Sequence, residues 1–419
     1  MFIRRFAIRN FKIHKDTSLS LFPITVFVGP NSGGKSAIFD ALINFSMVCR
    51  GNLAEAFNQY PYSFDALRHH GASTSARIRY EAELTLEADS KESLVYMIEF
   101  SQNPGTNDEP TYSIQNEDLK FGNQVLFNRS DDICNIPGLH TLQTEGRSIF
   151  GALRHSAGEW NATFANGAPL VQHCAKEISR IGRYRLDPSL LAQPGRIFEI
   201  EPGAIQPHIY APRVAYRGAD LASVLYYLSE TKSPVLANII EIVAEAITGF
   251  EGFEFNHVGS DRIGFAARFV DKRGAVVAPN LSDGCLSMIG LVTLALTAIK
   301  PSVLCIEEPE NGLTPRATRV FYRTIHKLTQ AEPASERPQV LLSSHSPFVI
   351  VDAWNGNERD FIYQCHPSEG MAKILKFSEV IEGGLGCSVL MELSGWRSQS
   401  RLWTAFATSR RPPVATLKY

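Results

Sequence analysis

Hydrophobic and polar residues alternate at the start of the chain, which is the pattern of β-strands. FIRRFAIRNF places apolar and basic residues in turn, and FPITVFVG is a β-branched run that ends at glycine, so residues 1–28 are predicted to form two strands. From residue 36 to residue 50 the period changes to three or four, which predicts a helix. The apolar positions that recur there are Ile38, Leu42, Phe45 and Cys49.

The same pattern separates ordered from polar parts in the middle of the chain. Residues 76–101 predict a pair of antiparallel strands, whereas residues 102–183 are polar and predict an insertion with short strands and helices. An apolar stripe over residues 233–250 predicts a helix, and residues 263–280 predict a hairpin. The chain shows no internal repeat and no sustained heptads.

Toward the C-terminus, apolar runs alternate with helical patterns, which is typical of an α/β fold with buried strands. LSDGCLSMIGLVTLALTAI predicts a helix that Ser282 caps and Pro301 ends. PSVLCIEEPE and PQVLLSSHSP predict buried strands on either side of a helix that Pro315 opens. The apolar run of residues 288–299 is shorter than the roughly 20 residues that span a bilayer, so we expect a buried helix and no membrane contact.

Composition excludes several classes of protein. The 419 residues carry 41 Lys and Arg against 43 Asp and Glu, a net charge of −2, so nucleic-acid binding requires a local basic patch. The 7 cysteines include no CxxC pair, which argues against a zinc site and a disulfide framework and suits a reducing compartment. The N-terminus has no apolar signal segment, so we expect a cytoplasmic protein.

Residues 29–36, GPNSGGKS, satisfy the phosphate-loop pattern G-x-x-x-x-G-K-[ST] between a predicted strand and a predicted helix. Glycines let backbone N–H groups converge on phosphate oxygens, and the helix N-terminus adds partial positive charge. We expect Lys35 to reach the β- and γ-phosphates of ATP and Ser36 to ligate Mg²⁺. The predicted nucleotide-binding residues are Asn31, Ser32, Gly33, Gly34, Lys35, Ser36 and Ala37.

A second motif, VLCIEEPE, places adjacent carboxylates at the end of a buried strand, where open α/β sheets bind their ligands. We expect Glu307 to contact Mg²⁺ and Glu308 to position or deprotonate the attacking water. In isolation, the pair also fits a solvated acidic turn. Glu310 adds a third carboxylate, beside the site or at an interface.

LSDGC, which contains Ser282 and Gly284, opens an apolar helix. From the residues alone, an N-capped core helix is the favoured interpretation. Leu-Ser-x-Gly shortly before the acidic strand also resembles the signature motif of ABC-type ATPases. The resemblance implies that Ser282 and Gly284 of one subunit complete the ATP site of another, with ATP sandwiched in a homodimer or higher homo-oligomer.

Two further segments resemble ABC-type motifs in the expected order. ENGLTP, beginning at Glu310, resembles the D-loop, and SSHSP supplies His345 at the place of the switch histidine near the γ-phosphate. A lone histidine after a strand is more often structural, so the order of the five motifs is what favours a catalytic His345. The sequence departs from the family at Glu307, where aspartate is usual, and at Thr314, where relatives often have histidine. The candidates for the family's Q-loop glutamine are Gln102 and Gln172.

Many more residues separate Ser36 of the phosphate loop from Leu281 of LSDGC than separate the matching motifs of transporter ATPase subunits. IRNFKIHKDTSLSL before VGPNSGGKS resembles the RecF and SMC branch instead, where the strand matching Lys12 and His14 reaches the nucleotide; exposed strand residues are an equal alternative. YRLDPSLL, GADLASVLYYL, IEEPENGL and SSHSP resemble the bacterial "AAA family" ATPases that overlap the OLD nucleases. The resemblance implies a P-loop, SMC-head-like α/β fold with a mixed sheet, an antiparallel β subdomain and a helical insertion.

Residues 346–419 contain no DxD motif and are too few for the Toprim nuclease that OLD proteins carry after the switch histidine. The resemblance therefore implies a stand-alone ATPase that controls a separate effector, a nuclease or a toxin, as in bacterial anti-phage defence. Two alternatives stay open. One is an ATP-dependent scaffold or sensor that sequesters the effector with little turnover, and the other is a RecF-like DNA repair ATPase.

The predicted domain division has four parts. Residues 1–101 form an N-terminal ATPase lobe, and residues 102–232 an insertion or helical region. Residues 233–395 form a C-terminal lobe with the signature, the acidic strand, the D-loop and the switch histidine. Residues 396–419 form a basic-aromatic tail that either binds DNA through phosphate contacts and stacking or docks on another subunit.

Overall fold

The computed structural model of the chain contains three β-sheets with helices packed between and around them. The glycine-rich loop, LSDG, both strand-end glutamates and His345 lie in the described part of the chain, whereas the basic-aromatic tail and Pro301 lie outside it. The described residues are 1–51, 53–57, 63–73, 75–104, 110–130, 133–135, 146–155, 168–198, 212–270, 274–297, 303–345, 360–368 and 370–376.

Strands and helices of these residues are numbered in chain order. The strands are β1 (Phe2–Phe11), β2 (His14–Ser20), β3 (Ile24–Val28), β4 (Ile78–Thr85), β5 (Leu94–Asn103), β6 (Thr111–Phe121), β7 (Gln124–Ser130), β8 (Ile133–Asn135), β9 (Ile181–Tyr184), β10 (Gly195–Arg196), β11 (Phe250–Val258), β12 (Arg262–Phe269), β13 (Ala275–Val277), β14 (Val303–Glu307), β15 (Gln339–Ser344), β16 (Asp360–Ser368) and β17 (Met371–Lys376). The helices are α1 (Lys35–Arg50), α2 (Leu53–Phe57), α3 (Phe64–Leu67), α4 (Ile149–His155), α5 (Ala168–Glu177), α6 (Pro188–Leu191), α7 (Leu221–Glu230), α8 (Pro234–Ala246), α9 (Asp283–Thr297) and α10 (Pro315–Thr329).

The central sheet has the order β17-β16-β3-β15-β14-β9, and its strands are parallel except for β17. Successive residues point to opposite faces, and both faces are buried. Phe27 and Leu341 face the core that contains α1, whereas Leu304 and Leu342 face the core that contains α9 and α10. Because β3, β15, β14 and β9 run in the same direction, their carboxyl ends lie at one edge of the sheet.

The antiparallel sheet has the order β2-β1-β4-β5-β6-β7-β8 and packs one face against α1. Phe6 and Tyr80 contact Phe45 of the helix, with ring centroids 5.4 and 5.8 Å apart. The other face carries cross-strand ion pairs, which explains the alternation of apolar and basic residues in the sequence. These pairs are Arg4–Glu83, Arg5–Glu81, Arg9–Asp16 and Arg77–Glu99.

The prediction of two strands in residues 1–28 is wrong, because the structure has three. The additional strand, β2, has the sequence HKDTSLS, and its polar composition hides a buried side formed by His14, Thr17 and Leu19. The prediction of two antiparallel strands in residues 76–101 is confirmed by β4 and β5. The antiparallel sheet continues past residue 101 into β6, β7 and β8, while the four-part domain division stays a prediction.

The third sheet places β11 along one edge of β12, and β10 and β13 along the other. Both the predicted hairpin and the predicted helix before it are confirmed, the latter as α8, which Ser233 caps by accepting from the Val235 N–H. α9 is buried along most of its length, as predicted. Among the described residues, no helix combines the length and the apolar character needed to cross a membrane.

Replacing Glu117 by alanine should destabilise the antiparallel sheet. Glu117 is fully buried, accepts from the Tyr96 hydroxyl and the Ile149 N–H, both at 2.7 Å, and pairs with buried Arg129. Removing one partner of a buried ion pair costs about 3–5 kcal/mol, so urea titration should show a loss of that size. Glu245→Ala, which removes an exposed partner of Arg323, is the matched control, and an equal effect of both variants would contradict the prediction.

Candidate functional site

The glycine-rich loop, residues 29–36, follows β3 and leads directly into α1. Gly29, Ser32 and Gly34 have φ angles of 142°, 65° and 94°, so the backbone turns sharply in conformations that mainly glycine adopts. The first turn of α1 contains no acidic residue, and no side chain caps it. The helix therefore presents backbone N–H groups and the positive end of its dipole to the loop, which favours an anion there.

Lys35 is folded over the loop. The residue is almost fully buried, and its Nζ donates to the carbonyl oxygens of Gly29 at 2.7 Å and Pro30 at 2.9 Å. Burial lowers the pKa of the Lys35 ammonium, and Cys365 and three nearby glutamates oppose that shift. A phosphate in the loop would compete with the two carbonyl oxygens for the ammonium, which fits the residue to a phosphate-binding role.

Strand β16 lies directly against the loop and gives two of its glycines a packing role. A Cβ atom on Gly33 would lie 2.6 Å from the carbonyl oxygen of Cys365, and one on Gly29 would lie 1.9 Å from the same atom. No other residue fits these positions without moving the backbone of β16. The glycines thus serve the contact with the central sheet as well as the turn of the loop.

The turn between β1 and β2 also reaches the loop. His14 is fully buried, its Nε2 donates to the Gly34 carbonyl at 3.1 Å, and its Nδ1 accepts from the Thr17 hydroxyl at 3.1 Å. Burial lowers the pKa of His14 to about 4. Lys12 has a φ of 48° and its Nζ lies 2.5 Å from Asp40 of α1. The interpretation of both residues as exposed is therefore wrong, and they join the antiparallel sheet to the loop and α1.

Ser36 and Glu307 come together at the carboxyl edge of the central sheet. The Ser36 hydroxyl donates to Glu307 Oε2 at 3.1 Å, and Glu307 is almost fully buried. Arg183, at the end of β9, donates to Glu307 through Nε and to Asp40 through Nη1. Burial lowers the pKa of the Arg183 guanidinium, but the bonds to the two carboxylates outweigh burial and raise it overall.

Glu308 and His345 lie side by side at the ends of β14 and β15. His345 Nε2 is 3.5 Å from Glu308 Oε1, while Asn311 donates to Glu308 Oε2 at 2.8 Å. Glu308 has a φ of 47°, a conformation that costs free energy in a residue other than glycine and that clusters at functional sites. Burial and the charge of Lys35 lower the pKa of His345, against the opposing effect of Glu308.

Glu310 binds the end of β15 and the backbone of His345. Its Oε1 accepts from the Ser344 hydroxyl and from the His345 N–H, both at 2.8 Å. Burial raises the pKa of the Glu310 carboxyl. Glu310 therefore fixes the backbone of His345, while Thr314, at the D-loop position, caps α10 by accepting from the Ala317 N–H at 3.2 Å.

Ser282 and Gly284 lie with the D-loop segment of the same chain. Ser282 caps α9 by accepting from the Cys285 N–H at 3.3 Å, as the residues alone predicted. A Cβ atom on Gly284 would lie 2.5 Å from the Gly312 carbonyl oxygen, so glycine is required for this close approach. The start of α9 borders a cavity of about 660 Å³, to which Asp283, Asn311, Gly312, Arg185 and Tyr216 contribute.

The sequence motifs missed Arg183, the residue that joins Glu307 to Asp40. Its signal in the sequence was its position directly before YRLDPSLL, and the structure places it next to the last residue of β9, which is parallel to β14. Of the two candidates for the Q-loop glutamine, Gln102 belongs to β5 of the antiparallel sheet and Gln172 to α5.

The donors at this edge suit a magnesium ion that is bound together with phosphate. In the described part of the chain, no group of three or more His, Cys, Asp and Glu side chains is placed to hold a metal. Mg²⁺ is usually held by one or two protein oxygens, waters and substrate phosphates, and it prefers hard oxygen donors. The adjacent hydroxyl of Ser36 and carboxylate of Glu307 fit that pattern.

Two family models match separate parts of the chain. Residues 1–130 match a family described as "AAA ATPase domain", and residues 203–352 match one described as "AAA domain, putative AbiEii toxin, Type IV TA system". The first contains the glycine-rich loop, and the second contains LSDGC, the acidic strand and His345. A search of the curated proteins found no match.

Three solved structures of SMC heads match the chain, one of them with a TM-score above 0.5. An SMC head bound to the C-winged helix domain of ScpA has a TM-score of 0.52 and 12% identity, with 90% of this chain and 98% of that chain covered. The SMC head domain from Thermotoga maritima has a TM-score of 0.42 and 12% identity, over 90% of this chain and 99% of that one. An Smc head with an extended coiled coil, bound to the C-terminal domain of ScpA derived from Pyrococcus furiosus, has a TM-score of 0.43 and 14% identity, over 93% and 99%.

The family matches, the motif order and the fold together define the class of this protein. It is an ATPase whose fold is similar to that of an SMC head, as the sequence resemblance implied. The predicted α/β fold with a mixed sheet and an antiparallel β subdomain is confirmed.

Replacing His14 by glutamine should reduce the loss of stability in acid. A histidine with a pKa near 4 in the folded state and 6.5 in the unfolded state binds its proton only on unfolding between these values. Its stabilising effect is therefore complete above pH 6.5 and decreases by about 3 kcal/mol as the pH falls to 4. Glutamine retains an N–H donor for Gly34 but does not titrate.

The free energy of unfolding, measured by urea titration between pH 4 and pH 7, tests this expectation. His257→Gln changes an exposed residue of β11 and serves as the control. If His14→Gln loses as much stability in acid as the wild type does, the buried histidine is not responsible.

Proposed function

We propose that this ATPase binds Mg²⁺ and ATP between two copies of the chain and uses hydrolysis to control a separate effector protein. The Lys35, Ser36 and Glu307 side chains bind the nucleotide and metal in one subunit. Ser282 and Gly284 of the other subunit complete the site. Glu308 activates the attacking water, and His345 assists it near the γ-phosphate.

The observation that carries the proposal is the convergence of three loops at one edge of the central sheet. Ser36 contacts Glu307 at 3.1 Å, and the next residue, Glu308, lies 3.5 Å from His345. The order of the strands that deliver them, β3, β15 and β14, puts the histidine-bearing strand between the phosphate loop and the acidic strand. Phosphate binding, metal binding and water activation therefore share one edge.

The chemistry expected of this chain's residues follows from their environments. When bound, Mg²⁺ neutralises charge on the phosphates. Lys35 releases the carbonyl oxygens of Gly29 and Pro30 and binds phosphate oxygens in the same loop instead. Glu308 orients water and takes its proton at the carboxylate that Asn311 and His345 hold in place. His345 is neutral near pH 7, because its pKa is lowered, and can therefore donate one hydrogen bond and accept another.

Contacts around α9 support the trans role of the signature residues. Gly284 packs against Gly312, and Asn311, the neighbour of Gly312, donates to Glu308. A ligand of the second subunit at Ser282 would thus lie two residues from the contact between Gly284 and the segment that holds the water-activating carboxylate. This arrangement offers a path by which assembly affects hydrolysis, since both depend on residues 311–312.

The proposed effector and biological setting depend on the description of one matched family. One matched family is described by a putative toxin of a toxin–antitoxin system, which favours a nuclease or toxin partner in bacterial anti-phage defence. A low-turnover scaffold or sensor, and a RecF-like DNA repair ATPase, are the alternatives. The basic residues on the outer face of β1 give DNA no unpaired patch there, because Arg4, Arg5 and Arg9 each pair with a carboxylate.

Replacing Glu308 by glutamine should slow ATP turnover by about 10²–10⁴-fold, the usual contribution of a general base, while nucleotide binding is retained. Steady-state ATP hydrolysis and binding of a fluorescent ATP analogue measure the two effects. Glu332→Gln alters an exposed carboxylate and is the control. If the wild type and Glu308→Gln assemble identically and hydrolyse ATP equally slowly, the result favours the low-turnover scaffold. A Lys35→Ala protein that binds ATP normally would contradict the proposed nucleotide-binding site.

Mixing two inactive variants tests the sandwich. Lys35→Ala disables the site of its own subunit, whereas Ser282→Arg disables the site that its partner provides with Lys35. A mixed dimer keeps one intact site, so mixing should restore about a quarter of wild-type turnover if subunits exchange at random. Each variant alone stays inactive. No recovery in mixtures shown by native mass spectrometry to contain mixed dimers would exclude the trans role of Ser282.

A further inference from the structure

Glu307 is a buried carboxylate with both oxygens engaged. Its Oε2 accepts from the Ser36 hydroxyl at 3.1 Å, and its Oε1 accepts from Arg183 Nε. The first contact faces the phosphate loop and the second faces β9, at the edge of the central sheet. The two contacts fix the direction in which the carboxylate points, because one oxygen cannot move without breaking the bond of the other.

Arg183 is built to hold this arrangement. Its side chain is about six-sevenths buried, and its guanidinium donates to Glu307 through Nε and to Asp40 through Nη1. The same group lies over the Tyr216 ring, with Cζ 5.6 Å from the ring centroid. A rigid, planar fork can bind two carboxylates at a fixed angle, whereas the point charge of a lysine cannot.

Glutamate reaches one methylene further than aspartate and has one more rotatable bond. Held only by Ser36, the longer side chain of Glu307 would keep several rotamers near the phosphate loop. Arg183 removes that freedom by pulling Oε1 toward β9, so Oε2 is left toward Ser36. The arginine therefore compensates in space for the extra length of the acidic side chain.

We propose that Arg183 is a positioning residue that sets the reach of Glu307 and presents its Oε2, beside Ser36, to the metal that accompanies ATP. The inference rests on the proposed role of Glu307 as a magnesium ligand. Arg183 itself touches neither metal nor nucleotide in this scheme and acts through the carboxylate.

Asp40 continues the network of ion pairs into α1. It lies one helical turn after Ser36, so both side chains are on the same side of the helix. Asp40 accepts from Arg183 at Oδ1 and from Lys12 at Oδ2. Two cations thus alternate with two carboxylates from the β1–β2 turn to the acidic strand. Loss of Arg183 would leave Asp40 and Glu307 without the cation between them.

The dependence of nucleotide affinity on Mg²⁺ concentration tests the proposal without relying on turnover. Wild type, Arg183→Gln and Arg183→Lys are titrated with a fluorescent ATP analogue over a range of Mg²⁺ concentrations and in EDTA. Loss of a residue that orients a metal ligand usually lowers metal affinity about 10–100-fold, so Arg183→Gln should need that much more Mg²⁺. In EDTA, the affinity of Arg183→Gln for the nucleotide should equal that of the wild type. The Mg²⁺ requirement of Arg183→Lys should lie between those of the wild type and Arg183→Gln.

Controls separate this effect from a general loss of structure. Arg323→Gln removes an exposed arginine of α10 that pairs with Glu245, and it should leave the Mg²⁺ dependence unchanged. Glu307→Asp should also weaken Mg²⁺ binding, and adding Arg183→Gln to it should cause little further loss, because both changes remove the same geometry.

Each outcome decides something. Arg183→Gln with wild-type Mg²⁺ dependence would overturn the positioning role, as would strictly additive effects of Arg183→Gln and Glu307→Asp. If Arg183→Gln does not fold, the folded Arg183→Lys protein decides by the same criterion. If wild-type affinity does not depend on Mg²⁺ at all, or if Glu307→Asp has no effect, the assignment of Glu307 as a metal ligand fails, and the inference fails with it.

Discussion

Burial of α1 on two sides is the constraint on which the rest of the structure depends. The helix packs Phe39 against Phe27 of the central sheet, with ring centroids 5.9 Å apart, and Phe45 against Phe6 and Tyr80 of the antiparallel sheet. A helix with one apolar stripe needs a single cover, whereas α1 is buried almost all round and needs two. The antiparallel sheet is therefore tied to the loop that precedes the helix.

The same burial creates an electrostatic requirement. Asp40 and Glu307 lie in the interior, where a carboxylate without a partner is costly, and Lys12 and Arg183 supply the opposing charges. The phosphate loop adds a buried ammonium at Lys35, held by backbone carbonyls instead of a carboxylate. Structural ion pairs and the proposed binding groups are thus parts of one network, and a change in one alters the setting of the others.

The sequence predicted the elements whose pattern is local. α1, α8 and the hairpin of β12 and β13 have clear periods, and the order of the motifs indicated that the strand-end glutamates and His345 share one sheet edge. The sequence pattern did not predict β2, because most of its residues are polar and His14 is buried against the glycine-rich loop, at Gly34, 20 residues away. The role of Arg183 was not predicted, because its partners Asp40 and Glu307 lie 143 and 124 residues away in the sequence, beyond the reach of a local pattern.

The neighbours of β3 determine when the phosphate loop can form during synthesis. β3 pairs only with β15 and β16 among the described strands, and both follow it by more than three hundred residues. β1, β2 and β4 to β8, in contrast, pair among themselves within the first 135 residues. Contacts between distant segments form late, and chains emerge from the ribosome N-terminus first. The strands of the antiparallel sheet can therefore pair before the two strands that flank the phosphate loop have been synthesised.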